Sequence, residues 1–363
     1  MISEKTEISL TKVWYSSLKY FPNLEGSMID FVDEIRLKLE NTEGSIVFPE
    51  AFDPRVLKAA DMLTREKIYL KIILLGNPQK LEEIAKENNI DLSKFEVIDW
   101  ENSPLIEEFT EEFYELRKHK GVSKDECFNY IKCNVNAFGA MMVRKGLADG
   151  MVSGSMSPTA DVIRAGIWII QPKKGIKTVS SFFVMVSPDE NIGDRGKMIF
   201  SDCALVVDPT PEQLADITIN AANAGKAFLN TEPLVALLSY STYGSGTGPS
   251  VDKVKEAIKI LKERNVDFKF DGEMQFDAAI SPTVAEIKCP TSEVAGKANV
   301  FVFPNLDSGN IGYKIAQRIG KAKAYGPILV GLNKPINDLS RGCSAEDIYV
   351  TTLMTLLQVK DHI

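Results

Sequence analysis

The stretch SIVFPEAFDPRVLKAADML, residues 45–63, reads as one structural unit: a short strand, a loop and a helix. Ser45–Phe48 ends in an apolar run of strand length, closed by a proline. Asp53 followed by Pro54 supplies a cap and a first-turn proline. Behind them Val56, Leu57, Ala60 and Leu63 recur at helical spacing. The apolar Tyr69–Leu75 then gives a second strand, so the unit closes as strand–helix–strand. Strands joined through a helix run parallel, with the helix laid on one face of the sheet.

The same alternation continues outward from Met28. Further strands are expected at Phe95–Ile98, Gly150–Ser153, Thr178–Val186, Ile199–Val207, Leu234–Ser239, Asn299–Phe303 and Pro327–Val330. Thr210, Pro211 and Gln213 form a capping box before Leu214–Phe228. Ser250 opens a helix with an apolar stripe of Val251, Val254, Ala257, Ile258 and Leu261. The expected fold class is α/β, with largely parallel sheets covered by helices on both faces.

Composition removes several functions. The net charge of −8 and the lack of any Lys/Arg block argue against a nucleic-acid or anionic-membrane surface. No apolar run is long enough to span a bilayer, and the first residues lack a secretory core. Five scattered cysteines, at 127, 133, 203, 289 and 343, form no CxxC pair and suit a reducing compartment. A cytoplasmic protein is expected. With only His119 and His362, a histidine-based zinc site or a Ser-His-Asp triad is not expected.

In such folds anions bind where strand ends meet helix starts. Three junctions fit. In NDLSRGCSAED (337–347) a strand ending near Val330 leads through a loop to a helix capped by Ser344. Ser340 offers a hydroxyl donor and Arg341 a guanidinium fork matched to phosphate, both just before that helix. Plainer readings stand beside these: Asp347 has the spacing of a capping-box acid, Arg341 of a surface ion-pair partner, and Cys343 of a small buried residue. In GMVSGSMSPTADVIR (150–164), Ser157 and Thr159 are candidate caps and Arg164 reaches over the same mouth or lies exposed. SYSTYGSGTGPS (239–250) has the composition of a phosphate cradle without a P-loop signature. Asp271, Glu273, Gln275 and Asp277 alternate, either to hold a divalent ion or, as the plainer reading, to serve as a hydrogen-bonded sheet end.

At these residues the chain resembles the phosphate acetyltransferase and butyryltransferase family, and more closely its acetyl branch. The resemblance runs from about Ser45 to Gln358. It is carried by IVFPEAFDPRVLKAA (46–60), ELRKHKG (115–121), ADGMVSGS (148–155), TADVIRAG (159–166) and KTVSSFF (177–183). It continues in DCALVVDPTPEQLADI (202–217), LSYSTYGSG (238–246), DGEMQFDAA (271–279), VAGKANVFVFPNLDSGNIGYK (294–314) and KPINDLSRG (334–342). Ten such segments in the family's order make a specific signal.

The resemblance implies two α/β domains of the isocitrate and isopropylmalate dehydrogenase kind, with the active site in the cleft between them. Residues 28–174 and 325–363 would form a discontinuous domain I and 175–324 an inserted domain II. Residues 1–27 have no family counterpart and would be an extension, with Met28 the natural start. The implied reaction is reversible conversion of acetyl-CoA and phosphate to acetyl phosphate and CoA, by direct transfer in a ternary complex. Coenzyme A is then a substrate, no cofactor is tightly bound, no metal serves the chemistry, and the protein is a homodimer.

The resemblance makes Ser340, Arg341 and Asp347 the catalytic serine, arginine and acid. It places Arg164, Arg117, Thr159, Ser241, Asn310 and Lys314 in binding phosphate or CoA. One departure is Ser157-Pro158, where relatives often carry His or Asn with Ser or Thr. Rival readings are a longer-chain acyltransferase, a decarboxylating dehydrogenase on a shared fold, and a non-catalytic effector domain.

Overall fold

The first strand–helix–strand unit lies at the centre of a five-stranded parallel sheet. In the computed structural model, which describes residues 30–363, its strands are β1 (Glu43–Phe48), β2 (Tyr69–Leu75), β3 (Glu96–Ile98), β4 (Gly150–Ser153) and a later arrival, β11 (Ile336–Asp338). Their order is β11-β4-β1-β2-β3. The helix Pro54–Leu63 starts as its sequence requires, with the Asp53 carboxylate accepting from the Arg55 N–H. The proposed extension at residues 1–27 lies outside the described residues.

The remaining strands are β5 (Ser180–Val186), β6 (Lys197–Ser201), β7 (Leu234–Leu238), β8 (Lys269–Met274), β9 (Val300–Val302) and β10 (Lys323–Val330). They form a second sheet ordered β10-β5-β6-β9-β7-β8. This sheet is mixed, because β10 runs antiparallel to β5 and β5 antiparallel to β6, while the other pairs are parallel. The sheets are thus largely parallel, as expected, with antiparallel pairing confined to one edge of the second. β5 and β6 are joined by a turn region without a helix, which permits the antiparallel pairing.

Two strands carry no apolar run to mark them. β8 begins with Lys269 and carries Asp271 and Glu273, so no apolar run marks it. β11 has three residues, in a segment expected to be loop. What fixes β11 is a buried amide network. Asn337 Oδ1 accepts from the Leu329 N–H of β10 at 2.8 Å. Asn337 Nδ2 donates to Thr355 Oγ1 at 2.8 Å and Gln358 Oε1 at 2.7 Å on the C-terminal helix, Ala345–Asp361. β11 pairs with β4, setting Asp338 beside Ser153.

The expected start of the returning domain segment at residue 325 falls inside β10, which is hydrogen-bonded into the second sheet. One apolar core also runs through both halves. It takes Phe48 and Leu74 from the first sheet, Phe182 and Val184 from the second, and Ile348, Leu353 and Leu356 from the C-terminal helix. Separate clusters fill the outer faces, around Phe109 and Phe138 on one side and Phe200 and Phe301 on the other.

Candidate active site

β11, β4 and β1 are neighbours, and their C-terminal ends open into three adjacent loops. Arg55, at the start of the first helix after β1, ties these loops together. Its Nη1 donates to the carbonyls of Arg341 at 2.9 Å and Cys343 at 2.7 Å, and its Nη2 to that of Ser155 at 3.0 Å. The same guanidinium is paired with Asp53 at 2.6 Å, so its charge is met and its geometry held. Glu50 supports the next loop from below: it accepts from the Gly154 N–H at 2.7 Å, the Ser155 hydroxyl at 3.0 Å and the Ser157 N–H at 2.5 Å. Burial pushes the Glu50 carboxyl up, but the Ser157 donors and the Met156 and Gly154 N–H groups outweigh it and hold the group below its ordinary range.

On this frame the Ser340–Arg341 pair is presented outward. Both side chains are exposed. Arg341 enters none of the ion pairs among the described residues, in contrast to Arg55 and Arg164. Asp347 forms the capping box allowed by its spacing: its Oδ2 accepts from the Ser344 N–H at 2.9 Å and hydroxyl at 3.0 Å. The Cys343 thiol is buried, and burial pushes its pKa up.

Arg117 and Arg164 come together elsewhere in the first half, on one indole. The Arg117 guanidinium lies 4.4 Å from the Trp168 ring centroid and that of Arg164 5.6 Å. Arg164 is also paired with Asp161 at 2.8 Å, while Arg117 Nε is buried without a hydrogen-bond partner among the described residues. Trp168 sits in a π-helical turn, Gly166–Ile170, that extends the helix Thr159–Ala165. Ser157 and Thr159 do not cap that helix; its N-cap position is Pro158. Instead the Ser157 hydroxyl accepts from Asn136 Nδ2 at 2.9 Å.

The second half treats its candidates differently. Ser241 is fully buried; its hydroxyl donates to Glu273 at 2.8 Å and accepts from the Gly246 N–H at 2.9 Å. It builds the 239–250 loop from inside, with its hydroxyl turned away from the surface where the expected contact with phosphate or CoA would be made. Asn310 donates to the Cys203 carbonyl at 3.0 Å and accepts from Lys314 at 2.7 Å. The alternating acids are likewise committed: Glu273 to the Ser241 loop and Asp277 to Lys288 at 2.9 Å. Among the described residues no hydrogen bond or ion pair joins the Ser340 loop, the Trp168 group, Ser241 or Asn310 to one another.

Sequence reasoning passed over Glu50, Arg55, Trp168 and Asp338. Only Arg55 carried a usable signal, an arginine directly after a capped proline at a strand–helix junction.

These loops at the carboxyl ends of parallel strands, with an exposed serine and arginine before a helix, are the arrangement in which α/β proteins bind oxyanions. The family model for phosphate acetyl/butaryl transferase matches residues 30–356, and the chain belongs to that family. It is 45% identical over 332 residues to a phosphate acetyltransferase of Clostridium acetobutylicum, covering 92% of this chain and 99% of that one. It is 44% identical to the Bacillus subtilis phosphate acetyltransferase, covering 91% and 99%. A solved phosphotransacetylase from Streptococcus pyogenes superposes with a TM-score of 0.86 at 43% identity, covering 92% and 99%.

Proposed function

We propose that this chain is a phosphate acetyltransferase, interconverting acetyl-CoA plus phosphate and acetyl phosphate plus CoA. The observation that carries the reading is the exposed Ser340–Arg341 pair on a loop held rigid from behind by Arg55. In the direction of thioester synthesis, the CoA sulfur attacks the acetyl carbonyl carbon, and the carbon–oxygen bond to phosphate breaks. Arg341 holds the phosphoryl oxygens and Ser340 donates to the carbonyl oxygen as negative charge builds. Asp347 takes the thiol proton; its capping bonds use Oδ2 and leave Oδ1 outside the cap. Arg117 and Arg164 hold CoA phosphates, with Trp168 fixing both guanidinium planes. Thr159, Asn310 and Lys314 are assigned to phosphate or CoA as well.

Transfer is direct, in a ternary complex. A buried thiol with a raised pKa is a poor nucleophile at neutral pH, so Cys343 is not acylated. CoA is a substrate, nothing is tightly bound, and the reaction needs no metal. Two separate sheets support a division into two domains, residues 28–174 with the C-terminal segment against the inserted 175–324, with the substrates in the cleft between them. The second boundary is better drawn after Val330, because β10 pairs in the second sheet.

The enzyme works in the cytoplasm as a homodimer. What supports the dimer is a row of exposed isoleucines, 311, 315 and 319, along the helix Leu306–Arg318 and its end. Such a stripe at helical spacing fits a second copy of the same stripe. Sedimentation equilibrium checks it: Ile315→Glu gives monomers, and an unchanged dimer removes this face from the interface.

The reaction is tested with acetyl phosphate and CoA in metal-free buffer, reading thioester absorbance. Turnover by the wild type, lost in folded Arg341→Ala, supports both the reaction and the site. No turnover with acetyl, propionyl or butyryl phosphate overturns the transferase reading.

A further inference from the structure

Asp338 ends β11, two residues before Ser340, and its side chain is among the most enclosed carboxyls near the site. The residue is 6% exposed, and Oδ1 is buried with no hydrogen-bond partner among the described residues. Glu50, equally enclosed, stands on the other side of β4's end. Gly154 touches both loops: its N–H donates to Glu50 at 2.7 Å, and its Cα faces Asp338. A Cβ at Gly154 would meet Asp338 Oδ1 at 2.3 Å and the Leu339 nitrogen at 2.6 Å, and the residue sits at φ +109°, so no side chain fits. The two loops therefore touch backbone to carboxyl.

The two acids differ in what surrounds them. Glu50 has donors enough to remain a carboxylate. For Asp338, burial pushes the carboxyl up to about 7; the Thr159 hydroxyl pulls it down, the Glu50 charge pushes it further up, and the Leu339 N–H pulls it down. Other charges nearby are already committed. Arg55 is bound to Asp53 and three carbonyls, Asp161 and Arg164 to each other, and Asp347 to the Ser344 cap.

We propose that Asp338 is a positioning residue for the acetyl transfer: as a neutral carboxylic acid it lets the loops after β4 and β11 close across Gly154, and as a carboxylate facing Glu50 it pushes them apart. The proton lost goes to solvent, and the group never touches substrate. Closure sets where Ser340 and Arg341 stand relative to Thr159 and the 154–158 loop. The inference rests on the assignment of Ser340 and Arg341 to the reacting groups.

The sign of the linked stability effect follows. An acid whose pKa is raised on folding costs stability as pH rises from its unfolded value, near 4, up to its folded value near 7, and the cost is constant above that. Asp338→Asn, an isostere without the charge, removes the cost.

The test measures kcat and both KM values from pH 5.5 to 8.5 for wild type, Asp338→Asn and Glu50→Gln, with thermal melts at pH 5 and 8. We expect the ratio of Asp338→Asn to wild-type kcat to rise several-fold across neutrality, the ratio cancelling ionisation of the CoA thiol. We also expect the Asn variant to melt above the wild type at pH 8 by more than at pH 5. Glu50→Gln, which removes the facing charge, moves the wild-type fall to higher pH, because less closed loop is lost on ionisation, or abolishes it. A kcat ratio flat with pH in a folded Asn variant overturns the proposal, as does a fall in kcat unchanged by Glu50→Gln. If Asp338→Asn fails to fold, the Glu50→Gln profile decides. If no variant and no wild type turns over, the transferase reading has failed, and the melts alone still test the Asp338 linkage.

Discussion

Two loops in this chain look alike in sequence and behave in opposite ways. Residues 338–345 and 239–250 each leave a strand, pass through serine and glycine, and enter a long helix. In the second loop the serine turns inward: Ser241 is spent on Glu273 and Gly246, and the loop is built around its own hydroxyl. In the first, the backbone is held by a neighbour, Arg55, and Ser340 and Arg341 stay exposed. A loop whose order comes from outside can spend its own side chains on a ligand. The 239–250 loop has already spent its Ser241 hydroxyl on the protein.

That contrast can be broken by substitution, and the largest effect is expected at Arg341. Arg341→Ala should cut kcat/KM for acetyl phosphate by roughly 10²–10³-fold, with circular dichroism and melting unchanged. A loss below about 10-fold would put the phosphoryl site elsewhere. The expected effect of Ser241→Ala is smaller and of another kind. It should lower stability by about 1 kcal/mol, since buried Glu273 loses one donor but keeps the Gly244 N–H, and leave kcat/KM of the folded protein near wild type. A kcat/KM collapse without a stability change would reverse the contrast and return Ser241 to the substrate. The smallest effect belongs to Cys343→Ala. Though it lies two residues from Arg341, its thiol is buried, and initial rates should stay within about two-fold of wild type. Complete inactivation of a folded variant would bring back a covalent acyl-cysteine route.

Much of the first sheet was legible because its strands are apolar runs followed by marked helix starts. Asp53-Pro54 and the Thr210-Pro211 box behave as their residue types require. What escaped was set by distant partners. β11 is a strand because Asn337 finds Leu329, Thr355 and Gln358, none of them near in sequence. β10 and β5 run antiparallel for reasons of chain path that no local period records. In the site, the motif-bearing residues Ser340, Arg341 and Arg164 were visible from the sequence. Their supports were not, because a supporting role depends on which loops are brought together. Glu50 reads as an unremarkable acid until Gly154, Ser155 and Ser157 are placed around it.

The C-terminal helix belongs to the shared core, packing against β1 and β4 of one sheet and β10 of the other. Its residues follow all eleven strands in the chain. During synthesis the first sheet lacks its edge strand β11, and both sheets lack this shared cover, until residues 336–361 leave the ribosome. The emerging chain must therefore keep two apolar faces waiting, and a premature stop anywhere before this helix yields an uncovered, sticky polypeptide in place of a smaller working enzyme.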